Sequence, residues 1–83
     1  MKTANIVKSY DLIPNDSHKS FYGKARVFVL DDGTEILRSY ATDVLARDPD
    51  GTLRRLWSGW SATTGRHIKA FAGINKAEYC ALP

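Results

Sequence analysis

The tetrapeptide Asp48-Pro49-Asp50-Gly51 constrains the fold more than any other feature of this chain. Proline presets φ at the second position of a type I turn, and glycine accepts the left-handed position that follows. The flanking segments must therefore run antiparallel, as strands at about 43 to 47 and 52 to 57. With Asp48 opposite Thr52, Ala46 faces Arg54 and Val44 faces Leu56 on one side. Leu45 then faces Arg55, and Asp43 faces Trp57, on the other. Apolar groups fall on both sides, which predicts partial cover of the second sheet face by the N-terminal segment or by a partner.

A second hairpin precedes this one. Lys24 to Leu30 is rich in β-branched and aromatic residues, Asp31-Asp32-Gly33 supplies a turn, and Thr34 to Tyr40 returns. No Gly or Pro interrupts Thr34 to Asp48, so one long strand, bent by a bulge near Ala41 or Thr42, is expected to serve both hairpins. The first 23 residues read as a short edge strand at Ile6 to Tyr10 and a loop through Pro14, Asn15, Asp16, Ser17 and Ser20.

After Gly59 the hydrophobic period becomes helical. Thr64, Ile68, Phe71, Ala72 and Asn75 share one face and Arg66, Lys69, Ala70 and Gly73 the other, predicting a helix over 64–72. Ser61, Thr63 and Thr64 are N-cap candidates and Gly73 a C-terminal stop. Asn75 with Glu78 three residues on is a capping-box signature, extending the helical segment to 63–82.

These elements predict one α+β domain over 1–83, an antiparallel β-meander of three to four strands with one C-terminal helix packed on it. Its parts are an N-terminal strand and loop (1–23), two hairpins (24–57) and the helical segment. Ile68, Phe71 and Ala72 are expected to meet Val27, Val29, Ile36, Val44 and Leu56. At 83 residues there is room for one core, burying only about 60–65% of the unfolded chain's surface. Cys80 is the only cysteine, so the core must hold without an internal disulfide. No apolar run reaches the ~20 residues of a spanning helix, and the start lacks the apolar block of a signal peptide, so a cytoplasmic location is expected.

Net charge is +3, unevenly spread: five basic residues and one acid follow Thr52, against four basic and six acidic in 24–51. No spacing matches a zinc site, a calcium loop or a phosphate-binding glycine loop, so neither metal nor cofactor is expected. The acids of the turns are sufficiently explained as turn formers, and a Cys80–His67 dyad lacks a third member. No catalytic residue is assigned and a non-enzymatic role is expected.

The candidate interaction residues are Trp60, Arg66, His67 and Lys69. Trp57 is assigned to the core, leaving Trp60 as an aromatic anchor. For His67, a bond to a backbone carbonyl or strand side chain stands beside a place in a basic site for phosphate or for a partner's acidic side chains. The nucleic-acid alternative uses Arg54, Arg55, Arg66, Lys69 and Lys76 on phosphates, with Tyr40 or Trp60 stacking. Arg54 and Arg55, adjacent on a strand, point to opposite faces and cannot share a patch.

The stretch Ser39-Tyr40-Ala41-Thr42-Asp43-Val44, followed by Ser61-Ala62-Thr63-Thr64-Gly65-Arg66-His67-Ile68-Lys69-Ala70-Phe71, resembles small uncharacterised proteins of phages and related mobile elements. In those a Ser-Tyr-x-Thr-x-Val strand precedes a Ser-x-Thr-Thr-x-Arg-His-Ile-x-x-Phe segment. The resemblance covers about half the chain and implies an accessory protein binding a host or phage protein or nucleoprotein, defence complexes included. It transfers no functional residue. A structural purpose is equally open for Thr42, Thr63, Thr64, Arg66 and His67, with small hydroxyls at a strand bend tying the helix start to the sheet. Self-association is a further alternative.

Overall fold

The structure, a computed structural model, describes residues 5–12 and 24–83. Five antiparallel strands, β1 (Ile6–Asp11), β2 (Ala25–Leu30), β3 (Glu35–Ser39), β4 (Thr42–Arg47) and β5 (Leu53–Arg55), pair in sequence order. Helices α1 (Ala62–Ala72) and α2 (Lys76–Cys80) follow. The α+β meander is as expected, with five strands in place of three to four. The loop expected at Pro14–Ser20 lies outside the described residues.

The extra strand comes from a turn that carries no Gly or Pro. Ser39 pairs directly with Thr42, so Tyr40 and Ala41 alone reverse the chain, and Tyr40 takes φ 57°. The expected long bent strand is therefore two strands. A bulge does occur, but further along: Leu37 pairs with Leu45 and Arg38 with Asp43, leaving Val44 as the extra residue. This places Val44 and Leu45 together in the core.

At the two predicted turns the Asp side chains act as local caps. Asp32 Oδ1 accepts from the Thr34 N–H and Asp50 Oδ1 from the Thr52 N–H, each at 2.9 Å. These backbone bonds hold both carboxyls below their usual pKa. Gly33 and Gly51, each at φ 91°, close the turns where a side chain would be strained. The register of the second hairpin is as read, Leu45 opposite Arg55 and Ala46 opposite Arg54, with the Asp48 N–H bonded to the Thr52 carbonyl.

Val27, Leu37 and Leu45 lie in register on the face that α1 covers, and with Val44, Ile68, Phe71 and Tyr79 they form the core. Ile36 alternates with Leu37 onto the other face and is only half-buried, and Leu56 beyond the end of β5 is exposed. Ile36 is thus corrected by one step of pleat and Leu56 lies past the strand, while Val29, also expected in the core, is only half-buried and outside the core cluster. Ser61 caps α1, accepting from the Thr64 N–H at 3.1 Å, and Gly73 ends it by bonding back to the Lys69 carbonyl. Asn75 and Glu78 form the expected capping box of α2.

The two sheet edges differ. The Arg55 N–H donates to the Pro83 carbonyl and Arg55 Nη1 to the Cys80 carbonyl, so the C-terminal segment covers β5. Tyr79 is buried entirely, its hydroxyl 2.7 Å from both the Val44 and the Trp57 carbonyls. It locks the bulge, the segment after β5 and α2 together.

Candidate functional site

The two halves of the sequence resemblance meet in space. Ser39, the last residue of β3, places its Oγ 2.9 Å from Thr64 Oγ1 and 2.8 Å from His67 Nδ1. Thr64 and His67 are three apart on α1 and so share a face. The three side chains are only 3%, 5% and 1% exposed, so these bonds form a polar pin inside an apolar interface. Buried polar groups are stable only when partnered, which gives the pin one workable geometry and fixes α1 on the sheet. Thr42 and Thr63, expected in this role, are exposed. Thr64 and His67 take the expected role, and Ser39 supplies the other hydroxyl in place of Thr42 and Thr63.

His67 belongs to this pin. Burial, and then the charge of Arg66, push its pKa below the usual value and keep the ring neutral near pH 7. At the other end of α1 a second clamp operates. Arg47 pairs with Glu35 at 2.9 Å, lies 4.3 Å over the Phe71 ring and donates to the Phe71 carbonyl at 3.1 Å. A cation on that carbonyl suits the negative end of the helix.

Above the pin stands Tyr40. Its ring centroid is 5.8 Å from that of His67 at a 44° tilt, and the Lys24 ammonium lies 5.7 Å from the ring. The Tyr40 N–H donates to the Lys24 carbonyl at 2.7 Å, which anchors the turn. Even so the side chain is 52% exposed. A bulky residue in the left-handed region costs about 1–2 kcal/mol, and burial of this side chain offsets little of it.

Both tryptophans pack against the core and neither stands free. The Trp60 ring lies so close to Gly65 that a Cβ there would be 2.4 Å from Cζ2, and it meets the Tyr79 ring at 5.5 Å. Trp57 folds onto Gly59 in the same way, at 2.5 Å. Trp60 is half-buried and reaches the surface only in part. Lys69 is exposed on α1 and Arg66 half-buried.

Two members of the nucleic-acid set are engaged within the chain. Arg54 is held by Asp48 through contacts of 2.8 to 3.2 Å, and Arg55 reaches toward Cys80. Arg26 and Arg38 likewise pair with Asp11 at 3.5 Å and Asp43 at 2.7 Å. Lys76 is exposed at the start of α2. Among the described residues no group of His, Cys, Asp or Glu could hold a metal, and no helix is long and apolar enough to cross a membrane.

Sequence reasoning did not identify Ser39 as the third member of the pin, nor Lys24 as the neighbour of Tyr40. The signal available for Ser39 was its place in the Ser-Tyr-x-Thr-x-Val strand. The model of a family of unknown function (DUF8033) matches residues 5–80. No curated protein and no solved structure matches the chain.

Proposed function

We propose that this chain, which belongs to the DUF8033 family of unknown function, is a non-enzymatic binding domain of the accessory type that phages and mobile elements encode. Its target is a host or phage protein or nucleoprotein in the host cytoplasm, defence complexes included. The observation that carries this is Tyr40, an exposed aromatic held at φ 57° over a buried polar pin. Aromatic side chains on rigid supports are typical interface anchors, since little entropy is lost when they bind. Strain kept at an exposed aromatic points to use at that place.

In this reading the surface comprises Tyr40, Lys24 and the outer side of α1 with Arg66 and Lys69. Trp60 and His67 act beneath it as support. A hydrolase built on Cys80 and His67 gains no support, since His67 is enclosed and bonded to Ser39 while Cys80 lies at the surface.

Direct nucleic-acid binding is the second reading, favoured by the Lys24 ammonium against the Tyr40 ring, because single-strand sites join stacking aromatics to cations. Capture from host lysate, with and without nuclease, separates the two. Four phosphate contacts would lose about a hundredfold in affinity between roughly 50 and 200 mM salt, whereas a protein interface centred on an aromatic should lose far less. A defined protein retained through nuclease and the higher salt is the expected result. Retention of nucleic acid alone would replace it with the second reading, and retention of no macromolecule would contradict both.

A further inference from the structure

Ile68, Phe71 and Tyr79 join Val27, Leu37 and Leu45 in the core, so both helices lie on one face of the sheet. Alternation along the strands turns the intervening side chains to the opposite face. There the register sets Ser9, Phe28, Ile36, Ala46 and Arg54 in one row across all five strands. Leu30 and its register partner Ile6 lie on one side of that row, and Asp11, Arg26, Arg38 and Asp43 form the next row on the other.

The apolar members of this face make a continuous strip. Phe28, Leu30 and Ile36 are half-buried, and Ile6 at the β1 end is 56% exposed. Ion pairs border the strip: Arg26 with Asp11 at 3.5 Å and Arg38 with Asp43 at 2.7 Å along one side, and Arg54 with Asp48 at 2.8 Å at the β5 end. The Arg38 guanidinium also lies 4.5 Å from the centroid of the Phe28 ring. An apolar centre with an aromatic, bordered by arginines and their acids, is the anatomy of a protein interface.

We propose that this face is a homodimer interface, on which a second copy of the chain packs sheet against sheet about a two-fold axis. A contact of that kind needs a patch that complements itself. Each ion pair here holds one charge of each sign, so a second copy is not repelled, and its rotation brings arginines of one chain toward aspartates of the other. A strongly acidic or strongly basic partner gains little from a border already neutral. Five strands about 4.8 Å apart and about six residues long present a face of roughly 20 by 20 Å, so two copies bury on the order of 1,000 Å². That is the lower end of specific interfaces and corresponds to a dissociation constant on the order of 10–100 μM. The interface goes beyond the Tyr40 reading above and does not depend on it.

The test is sedimentation equilibrium of the full chain from about 5 μM to about 1 mM, with isotope-filtered NOEs between labelled and unlabelled copies. A monomer–dimer equilibrium is expected, with intermolecular NOEs joining Phe28, Leu30 and Ile36. Phe28→Lys should abolish association. Ile6→Lys alters a side chain that is already exposed, so its circular dichroism should match the natural chain while dimerisation weakens about tenfold. A chain monomeric throughout that range would overturn the proposal. So would a dimer whose constant is the same in Ile6→Lys, or one whose intermolecular NOEs are confined to α1 and Tyr40. A different protein that shields Phe28 and Ile36 while the chain alone stays monomeric would overturn the assignment of a second copy as the occupant.

Discussion

Replacing Ser39 with alanine removes one oxygen and affects two partners. Thr64 Oγ1 and His67 Nδ1 each lose a bond of 2.8–2.9 Å, at positions only 5% and 1% exposed. Water does not reach such groups without opening the interface. Each lost bond costs about 1 kcal/mol, and burying the groups short of a partner raises the total to about 2–4 kcal/mol. For a domain of this size that corresponds to a fall in melting temperature of about 10–25 °C. Urea unfolding followed by tryptophan fluorescence, with Trp57 and Trp60 as probes, measures it. Thr64→Val supplies the second leg of a double-mutant cycle. If the pin acts as a unit, the double variant should fall short of the sum of the single losses by about 1 kcal/mol. A Ser39→Ala loss under about 0.5 kcal/mol, the level of an ordinary surface change, would refute the pin.

The folded-state pKa of His67 is depressed, so the unfolded chain binds its proton more readily. Its contribution to stability is complete above the unfolded value of about 6.5 and is lost as pH falls from there toward the folded pKa. Stability should therefore decline below about pH 6.5, with a shallower slope in His67→Gln, as urea unfolding across pH would show. Tyr79→Phe leaves the Val44 carbonyl its bond from the Leu56 N–H but takes the hydroxyl from the Trp57 carbonyl. A loss of about 1–3 kcal/mol in calorimetry is expected. Gly65→Ala gains about 1 kcal/mol of helix propensity but drives a methyl group to 2.4 Å from the Trp60 ring. The expected outcome is a net loss of about 1 kcal/mol with an altered Trp60 emission, since overpacking costs about 1–3.

What could be read in advance was what local chemistry encodes. The Asp-Asp-Gly and Asp-Pro-Asp-Gly turns, the Ser61 cap and the Asn75–Glu78 box each act within four residues, and each formed as expected. The Tyr40–Ala41 reversal was hidden because its residues carry no turn signature; the register of three strands imposes it. The Val44 bulge was misplaced for a related reason. Its carbonyl is held by the Leu56 N–H and the Tyr79 hydroxyl, groups 12 and 35 residues away, which no local pattern announces.

The candidate site divides in the same way. The sequence marked Trp60, Arg66, His67, Lys69 and Tyr40 by residue type and spacing. Which of them face outward depends on packing. His67 turned inward because Ser39, 28 residues earlier, offered a buried partner. Trp60 turned inward because Gly65 leaves room for its ring. Tyr40 turned outward because the reversal places it at the tip of the hairpin. The opposed directions of Arg54 and Arg55 were legible, since alternation along a strand is a rule of the backbone.

The most direct measurement is the affinity of the captured partner for the natural chain and for Tyr40→Asn, by isothermal titration, with melting temperatures recorded for both. The account predicts a loss of about tenfold or more on binding, as for an interface anchor, with the melting temperature nearly unchanged because relief of backbone strain offsets the lost contact with His67. Equal affinity for the two chains would contradict the assignment of Tyr40 as the anchor, and with it the surface proposed for this domain.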